Sequence, residues 1–439
     1  MVAYLKPLLN FAETILHEKN ESFSEFPIFL KATAGMRILD PADRTRVINA
    51  CRDVLGNKTY SHFKFEKEYA RVISGEEEAI YGWAGANFVL GSLLKSSEGS
   101  GTVINPQPHH GTVELGGASS QITFYQPNED VMSNLFKLQI GQGKHWNLYA
   151  HSFLYFGINE AWNRMGALIS TGESAEIEST VHNPCLPGGS KTPFESSIYF
   201  VDGRESFKTD NNGNEQTYKV VLKNDENTGN YEQCAAIANA LLNKKYNTWC
   251  NFAHHESCSF NGVYQPELPK QSEKYGEFLA LSNYYDIFHF LGIPNRSTLS
   301  TLQNATMHLC SMDHQQLTKF NNGSLDDDVA ITMCFRSTFA FELLHNGYGF
   351  QMNDNITATD VVNGQKVGWA LGSMLYEINA LPWIYLPKHE GLDSKWDVFG
   401  FIGSMLIFFL LGLLYICRTR PHKGREGYAS ITNVQIDRA

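Results

Sequence analysis

The sequence lacks the short motifs of several common enzyme classes. It contains no GxSxG segment for an exposed serine nucleophile, no HExxH zinc motif and no Walker-type GxxxxGK phosphate loop. Basic residues are comparatively few, since 35 Lys and Arg stand against 46 Asp and Glu, and the net charge is -11. Because nucleic-acid binding normally needs a basic face, this balance argues against DNA or RNA as a partner.

A secretory leader is also absent from the N-terminus. Lys6 and Pro7 interrupt what would be its apolar region, and the apolar spacing of residues 1–16 favours an amphipathic helix. Two alternatives follow. Either the chain enters a membrane through a C-terminal segment alone, or residues that would precede this N-terminus are missing.

Charge is missing entirely from one segment near the C-terminus. Residues 398–417 are uncharged and rich in Phe, Leu and Ile, and about 20 helical residues span a hydrocarbon core of roughly 30 Å. We therefore predict a transmembrane helix at 398–417. Four basic residues follow it: Arg418, Arg420, Lys423 and Arg425. They place the tail, 418–439, in the cytoplasm and the preceding residues outside, at the cell surface or alternatively in the Golgi or another lumenal compartment.

Cysteine usage and glycosylation sequons agree with that orientation. The chain has 8 cysteines, and all except Cys417 precede the apolar segment, as suits an oxidising compartment. Sequons for N-glycosylation occur at Asn20, Asn57, Asn295, Asn304, Asn322 and Asn355. We therefore expect a single-pass membrane glycoprotein with a disulfide-bonded ectodomain.

The segment GTVELGGASSQITF, residues 111–124, carries the clearest chemical signal. An apolar strand bearing Glu114 runs into Gly116 and Gly117, and hydroxyl residues such as Ser119 follow. Paired glycines let backbone N–H groups approach a phosphate, and an acid beside them can hold a metal-bound water. The alternative is a tight hairpin that binds no ligand.

Two upstream segments could complete such a site. SGEEEAIYGW, residues 74–83, carries three adjacent carboxylates, and a carboxylate can deprotonate the water that attacks a terminal phosphate. The alternative for these acids is a stabilising role at a helix N-terminus. KATAGMR, residues 31–37, adds Thr33 and Arg37 around a small Ala-Gly turn.

These segments, followed by GQKVGWALG at 364–372, resemble in the same order the apyrase-conserved regions of the ecto-nucleoside triphosphate diphosphohydrolase (ecto-apyrase) family. ATAGMR and LGGAS match that pattern letter for letter, and NPCLPGG and CSFNGVYQP extend the likeness. The resemblance implies an α/β fold with two actin-like (ribonuclease H-like) lobes around a nucleotide cleft. Residues 1–74 with 367–390 would form the first, N-terminally truncated lobe, and 75–366 the second.

The family resemblance also implies an activity, namely hydrolysis of nucleoside tri- and diphosphates with Ca²⁺ or Mg²⁺. It assigns the general base to Glu78, and a metal held through water to Glu114. Residues that would order the attacking water are Thr33, Ser119 and Gln121. Residues that would contact the nucleotide are Gly116, Gly117, Ala118, Tyr285 and Trp369. Tyr284 competes with Tyr285 as the aromatic that stacks on the base, and a homo-oligomer is left open.

The sequence departs from the family pattern at several positions. The first conserved region, a DAGSTxxR-like phosphate loop, is absent, so we expect little or no hydrolysis by the chain as it stands. The alternative function is therefore a catalytically inactive truncated isoform or fragment. Glu114 stands where the family usually has Asp, and Lys366 with Val367 replaces Asp-Ala before Trp369.

The order of the cysteines and their likeness to the family pattern suggest three disulfides: Cys185–Cys234, Cys250–Cys258 and Cys310–Cys334. Cys51 and Cys417 would remain free.

Two simpler expectations concern exposure. The polar stretch 201–230 looks like a surface insertion or long loop, and His109 with His110 should face solvent.

Overall fold

A computed structural model describes residues 1–17, 22–93, 108–127, 133–140, 145–172, 179–201, 204–244, 258–272, 274–320 and 326–380. Described residues up to Tyr376 form one compact unit, and residues 377–380 belong to a second. Nothing among the described helices is long and apolar enough to cross a membrane. The segment 398–417, the tail, Asn20 and Asn322 lie outside the described residues, and the lobe boundaries remain predictions.

Helices and strands alternate along much of the chain, as expected for an α/β protein. The helices are α1 (Val2–His17), α2 (Ala34–Arg37), α3 (Pro41–Gly56), α4 (Gly75–Val89), α5 (Ile158–Gly172), α6 (Tyr231–Leu241), α7 (Asn283–Leu291), α8 (Leu299–Cys310), α9 (His314–Lys319), α10 (Asp327–Ala330), α11 (Met333–Glu342) and α12 (Trp369–Ala380). The strands are β1 (Leu30–Ala32), β2 (Ala70–Val72), β3 (Thr112–Leu115), β4 (Ser119–Tyr125), β5 (Leu135–Gln139), β6 (His145–Leu154), β7 (Thr180–His182), β8 (Lys191–Ser196), β9 (Ile198–Val201), β10 (Arg204–Phe207), β11 (Tyr218–Lys223), β12 (Phe278–Ser282), β13 (Arg296–Thr298), β14 (Asn355–Ala358), β15 (Val361–Val362) and β16 (Gln365–Lys366).

A seven-stranded mixed sheet organises the molecule, in the order β13-β14-β12-β3-β4-β6-β5. Strand β12 runs parallel to both of its neighbours, β14 and β3, whereas β4, β6 and β5 follow in antiparallel steps. The segment GTVELGGASSQITF forms β3 and β4, which pair antiparallel on either side of the glycine turn. It lies at the centre of the sheet, so its turn projects beside the end of β12.

Both faces of this sheet are covered. Successive strand residues point to opposite faces, so Leu148 and Ala150 pack with α4, whereas Tyr149 and Phe153 enter a larger core. That larger core joins strands β3, β4, β6, β12 and β14 to helices α5, α6, α7, α8 and α11. Burial on both sides explains why β3 and β4 carry near-continuous buried residues.

Helix α4 crosses α12 at very short range because both helices present glycine. A Cβ built on Gly85 would lie 2.7 Å from the carbonyl oxygen of Gly368. One built on Gly372 would lie 1.8 Å from the carbonyl oxygen of Tyr81. Sandwiched between the sheet and α12, α4 is buried along most of its length. Its position relative to the sheet is therefore tightly fixed.

The expectation of a long loop at 201–230 is wrong in part. Strand β10 pairs with β9, and β11 is the middle strand of a three-stranded sheet between β7 and β8. Strand β11 has the alternation of a half-buried strand, because Tyr218, Val220 and Leu222 enter a small separate core. The polar, Gly/Asn-rich residues around it conceal this short pattern in the sequence.

Two of the expected disulfides are formed, Cys185–Cys234 and Cys310–Cys334. Cys51 is a buried free cysteine, as expected. Cys258 is also disulfide-bonded, whereas Cys250 and Cys417 lie outside the described residues. The two bonds tie α6 to the segment before β8 and α8 to α11, behind the large sheet.

Candidate active site

The N-terminus of α4 separates the roles of its three adjacent carboxylates. Ser74 caps the helix by accepting a hydrogen bond from the N–H of Glu77, and the Glu77 carboxylate in turn accepts one from the N–H of Ser74. Glu77 also forms an ion pair with Arg71. This capping box directs Glu77 outward, and the next residue, Glu78, consequently points into the protein, where it is 6% exposed.

Glu78 lies at the meeting point of three chain segments. Its Oε2 accepts a hydrogen bond from Nη2 of Arg37 at 2.8 Å, at the end of α2. A hydrogen bond from the Thr33 side chain also reaches it, and Nε2 of Gln121 lies 3.4 Å from the same oxygen. Burial raises the pKa of Glu78, while Arg37 and Thr33 oppose that rise by stabilising the charged form.

The β3–β4 hairpin turns three polar side chains toward Glu78. Glu114 and Gln121 are directly paired across the two strands, and Ser119 precedes Gln121 by two residues, so all three share one face. Nε2 of Gln121 donates to Oγ of Ser119 at 2.5 Å and to Oγ of Ser152 at 3.1 Å. Oε1 of Gln121 is buried and accepts no hydrogen bond within the described residues.

Glu114 is a buried carboxylate beside a second one. Burial and, to a smaller extent, the negative charge of Glu78 raise its pKa to about 7, although a hydrogen bond from Ser282 opposes the rise. Oγ of Ser282 donates to Oε1 of Glu114 at 2.9 Å. Ser282 has a φ of 61°, a backbone conformation that is costly for a residue other than glycine. The strain lies where β12 ends against this site.

The glycine turn between β3 and β4 is held from behind by the start of α5. The carbonyl oxygens of Gly116 and Gly117 accept hydrogen bonds from N–H groups of residues 158–160. A Cβ on Gly157 would lie 2.3 Å from the backbone nitrogen of Ala118, so only glycine permits this approach. Within the described residues, the N–H groups of Gly117 and Ala118 donate to no acceptor. The turn therefore presents free donors suited to an anion.

Of the two candidate tyrosines, Tyr285 is the accessible one. Tyr284 is completely buried in the large core, so its ring has no free face for a ligand. Tyr285 is partly exposed and lies parallel to the ring of His289, 6.1 Å away. The first turn of α7 is anchored to the hairpin because Nδ2 of Asn283 donates to the carbonyl of Leu115 at 2.7 Å.

Trp369 begins α12, next to Gly368, which contacts Gly85 of α4. Gly85 lies seven residues after Glu78, about 10 Å along the helix axis, but only three residues after Gly82, whose Cβ position lies 3.5 Å from Oε2 of Glu114. The structure thus brings together Thr33, Glu78, Glu114, Ser119 and Gln121, and the nucleotide contact of Trp369 remains a prediction.

The expectation that His109 and His110 face solvent is wrong. Both are only partly exposed, and His109 packs edge-on against Tyr125 beside Trp83 and Trp146. Burial, together with the nearby positive charges, lowers the pKa of His109 to about 4. No local pattern in the sequence indicates this aromatic surrounding, because Trp83, Tyr125 and Trp146 come from three separate segments.

Sequence reasoning missed several supporting residues. Arg37 does have a signal in the sequence, because it ends the ATAGMR segment, and a basic residue there can form an ion pair with the base. Ser282, Ser152 and Gly157 have no motif of their own. Their roles depend on contacts between segments that are distant along the chain.

Comparisons with known proteins identify the family of this chain. The sequence profile of the GDA1/CD39 (nucleoside phosphatase) family matches residues 1–395. The chain belongs to this family. The resemblance inferred from the motifs is therefore confirmed.

The alignments with individual relatives cover most of this chain. Ectonucleoside triphosphate diphosphohydrolase 1 of Bos taurus is 32% identical over 409 residues, which cover 89% of this chain and 73% of that protein. Probable apyrase 6 of Arabidopsis thaliana is 31% identical over 80% of this chain and 58% of its own length. The solved structure of nucleoside triphosphate hydrolases from Neospora caninum aligns with a TM-score of 0.59 and 16% identity, covering 86% of this chain and 78% of that one. The structural likeness concerns the fold alone.

Proposed function

We propose that this chain hydrolyses nucleoside tri- and diphosphates by attack of water on the terminal phosphate. The observation that carries the proposal is that a buried carboxylate, Glu78, is hydrogen-bonded through Gln121 to the β3–β4 hairpin, whose turn leaves the N–H groups of Gly117 and Ala118 without an acceptor in the described residues. A phosphoanhydride hydrolase needs both a group that accepts the proton of water and donors that bind the phosphate oxygens. Membership of the nucleoside phosphatase family supports the same chemistry.

Phosphate binding falls to the glycine turn. The N–H groups of Gly117 and Ala118 donate to oxygens of the terminal phosphate, where negative charge changes during the reaction. Hydrogen bonds from the start of α5 hold the turn in place before the nucleotide arrives. A prearranged turn needs little reorganisation in the transition state, so its donors stabilise that state efficiently.

Glu78 activates the attacking water. Arg37 favours the ionised form of Glu78 and so opposes the effect of burial, which supports a carboxylate as the group that accepts the proton. The hydroxyl of Ser119 and the amide of Gln121 orient the water, because both lie on the face that Glu78 approaches. The proton of the water passes to the Glu78 carboxylate as the oxygen attacks phosphorus.

A divalent cation, Ca²⁺ or Mg²⁺, fits the remaining groups. Glu114 offers a carboxylate, and the free Oε1 of Gln121 offers a buried acceptor suited to a cation-bound water. A nearby cation would favour the ionised form of Glu114 and so oppose the effect of its burial. When bound, the cation supplies charge neutralisation to the phosphate oxygens.

The nucleotide base lies toward Tyr285 in this proposal. The partly exposed ring of Tyr285 provides a stacking surface in the helical turn that follows Ser282, and Ser282 itself contacts Glu114.

The proposal also includes two actin-like lobes around the cleft.

We place this activity outside the cell or in a lumenal compartment, with the chain anchored by residues 398–417. Disulfides and sequons suit such a compartment. The described acceptors Asn57, Asn295 and Asn304 are exposed, as glycan carriers should be. Association with a membrane and with further copies of the chain belongs to this proposal.

The test is release of inorganic phosphate by the purified full chain, made in cells that lack their own ectonucleotidases. Contrary to the expectation drawn from the absent DAGSTxxR-like loop, ATP, ADP and UDP should release phosphate in the presence of Ca²⁺ or Mg²⁺, and chelation should stop it. AMP, which has no phosphoanhydride bond, is the matched substrate control. A folded, glycosylated chain that releases no phosphate from any of these nucleotides would favour the alternative of an inactive isoform.

A further inference from the structure

Arg336 is a half-buried cation that the reaction described above does not use. It lies in the first turn of α11, and its guanidinium makes two hydrogen bonds, both to neutral groups. Nε donates to the hydroxyl of Thr332 at 2.8 Å, and Nη2 donates to Oδ1 of Asn159 at 3.3 Å. A guanidinium has five N–H donors, so within the described residues three donors and the positive charge remain without a bonded partner.

Asn159 connects this guanidinium to the phosphate turn. The N–H of Asn159 donates to the carbonyl of Gly117 at 2.9 Å. A Cβ built on Gly117 would lie 3.2 Å from Nδ2 of the same asparagine. Arg336 is therefore separated by one side chain from the turn that is proposed to bind the terminal phosphate.

Asp286, next to Tyr285 on α7, is a second neighbour of Arg336. Burial lowers the pKa of Arg336, and the negative charge of Asp286 opposes that effect. Burial and the negative charge of Asp360 raise the pKa of Asp286, and Arg336 is among the cations that oppose the rise. The two groups thus interact through space, although no hydrogen bond joins them within the described part of the chain. Arg336 is consequently close to both the phosphate turn and the helical turn that carries Tyr285.

The position of Arg336 relates it to one part of a bound nucleotide. In the proposed complex the terminal phosphate lies at Gly117 and the base at Tyr285. The groups between them are the inner phosphate and the ribose. A guanidinium presents paired N–H donors and a permanent charge that match phosphate oxygens better than neutral ribose hydroxyls. Its half-buried setting also weakens screening by solvent, so an anion bound here is held more strongly than at an exposed arginine.

We propose that Arg336 binds the inner phosphate of the nucleotide, the phosphate that stays with the leaving group. This inference rests on the proposed hydrolysis. In that reaction the oxygen of water bonds to the terminal phosphorus, and the bond from that phosphorus to the bridging oxygen breaks. The electron pair of the broken bond remains on the inner phosphate, and the proton of the water goes to Glu78. Arg336 compensates the negative charge that the leaving phosphate gains.

Binding of α,β-methylene-ADP, whose carbon bridge cannot be hydrolysed, tests the proposal without any turnover. Titration calorimetry of the purified full chain with Ca²⁺ should show Kd rising roughly tenfold or more in Arg336→Gln, because a charge-assisted contact is lost. Arg336→Lys should lose less, since it keeps the charge but not the fork of donors. Melting temperatures and circular dichroism spectra show whether each variant is folded, and the lysine variant carries the test if the glutamine variant is not.

Arg296→Gln is the matched control, since it removes the same charge from an exposed position. The Arg296 side chain is 57% exposed and pairs with Glu277. Glu277 precedes β12, whereas Ser282 at the other end of that strand contacts Glu114. Affinity for α,β-methylene-ADP should therefore stay within about twofold in this variant.

A second ligand, α,β-methylene-UDP, distinguishes an inner-phosphate contact from a contact with the base. The two ligands share their phosphates and differ in the base, so Arg336→Gln should weaken both by the same factor. A loss confined to one base would overturn the proposal, as would unchanged affinity in Arg336→Gln or an equal loss in Arg296→Gln. If the unmodified chain bound neither ligand, the nucleotide site itself, and with it the proposed function, would be contradicted.

Discussion

Replacing Glu78 with glutamine tests the proposed base while leaving its surroundings nearly intact. Glutamine has the same shape, and its amide oxygen can still accept the 2.8 Å hydrogen bond from Arg37. What is lost is the negative charge and the ability to take a proton from water. The substitution therefore separates the chemistry of Glu78 from its packing.

The expected loss in turnover is roughly 10² to 10⁴-fold, the usual contribution of a positioned general base. At about 1.36 kcal/mol per factor of ten, this corresponds to about 2.7 to 5.4 kcal/mol in the activation barrier. Nucleotide affinity should change little, because the phosphate donors belong to Gly117 and Ala118. The free energy of unfolding should fall by up to about 3 to 5 kcal/mol, because Arg37, whose side chain is 13% exposed, loses its counter-charge.

The substitution should also change the titration of Glu114. The charge of Glu78 contributes to the raised pKa of Glu114, about 7, so that pKa should fall in Glu78→Gln. Phosphate release measured against pH, at saturating nucleotide and at a fixed concentration of divalent cation, follows turnover. Difference infrared titration of the carboxyl band in the metal-free protein follows Glu114.

Glu77→Gln is the matched control. Glutamine at this position keeps the capping box, and only the charge facing Arg71 is lost. Its turnover should stay within a few-fold of that of the unmodified chain. If Glu78→Gln remained active and Glu77→Gln did not, the assignment of the base would be off by one residue. If both remained fully active, the base would have to be a group outside this helix.

Other substitutions test the remaining parts of the account. Gly157→Ala places a Cβ 2.3 Å from the backbone nitrogen of Ala118 in the phosphate turn, so KM for ATP should rise at least tenfold. The circular dichroism spectrum should stay unchanged. An unchanged KM would mean that the turn does not bind phosphate. Gly372→Ala places a Cβ 1.8 Å from a carbonyl of α4 and should destabilise the protein by about 1 to 3 kcal/mol in urea unfolding, and no change would refute the close helix crossing. Tyr285→Ala should raise KM more than it lowers kcat, and the opposite split would argue against a stacking role. The pKa of His109 in the folded protein, about 4, is below its ordinary value of 6.5. Its contribution to the free energy of unfolding is therefore present above pH 6.5 and is lost as the pH falls toward 4. His109→Gln should flatten this decline of the free energy of unfolding with falling pH, and an unchanged slope would refute the argument.

The parts of the site that were predictable from sequence are those that depend on local pattern. Glycine pairs between two apolar strands specify a hairpin, and the spacing of Ser119 and Gln121 by two residues puts both on one face. A serine followed by acids and an apolar run specifies the start of α4. Choosing Glu78 from its two neighbours needed the family pattern, and the capping box gives the physical reason for that choice.

The parts that could not be predicted depend on distant contacts. Ser282 reaches Glu114 across 168 positions of sequence, and its strained backbone leaves no signature in the residue types around it. Gly157 supports the phosphate turn only because α5 begins behind the hairpin. The aromatic surrounding of His109 is likewise assembled from separate segments. Such contacts arise from the way strands are ordered in the sheet, which local pattern does not determine.

The most direct test of the central claim is hydrolysis of ATP by the purified full chain in ¹⁸O-labelled water with Mg²⁺ or Ca²⁺. Attack of water on the terminal phosphorus, assisted by Glu78, predicts one ¹⁸O atom in each inorganic phosphate released and none in the ADP. The same experiment with Glu78→Gln should give almost no labelled phosphate over the same time. Label in the nucleotide product, or equal labelled phosphate from both proteins, would contradict the account.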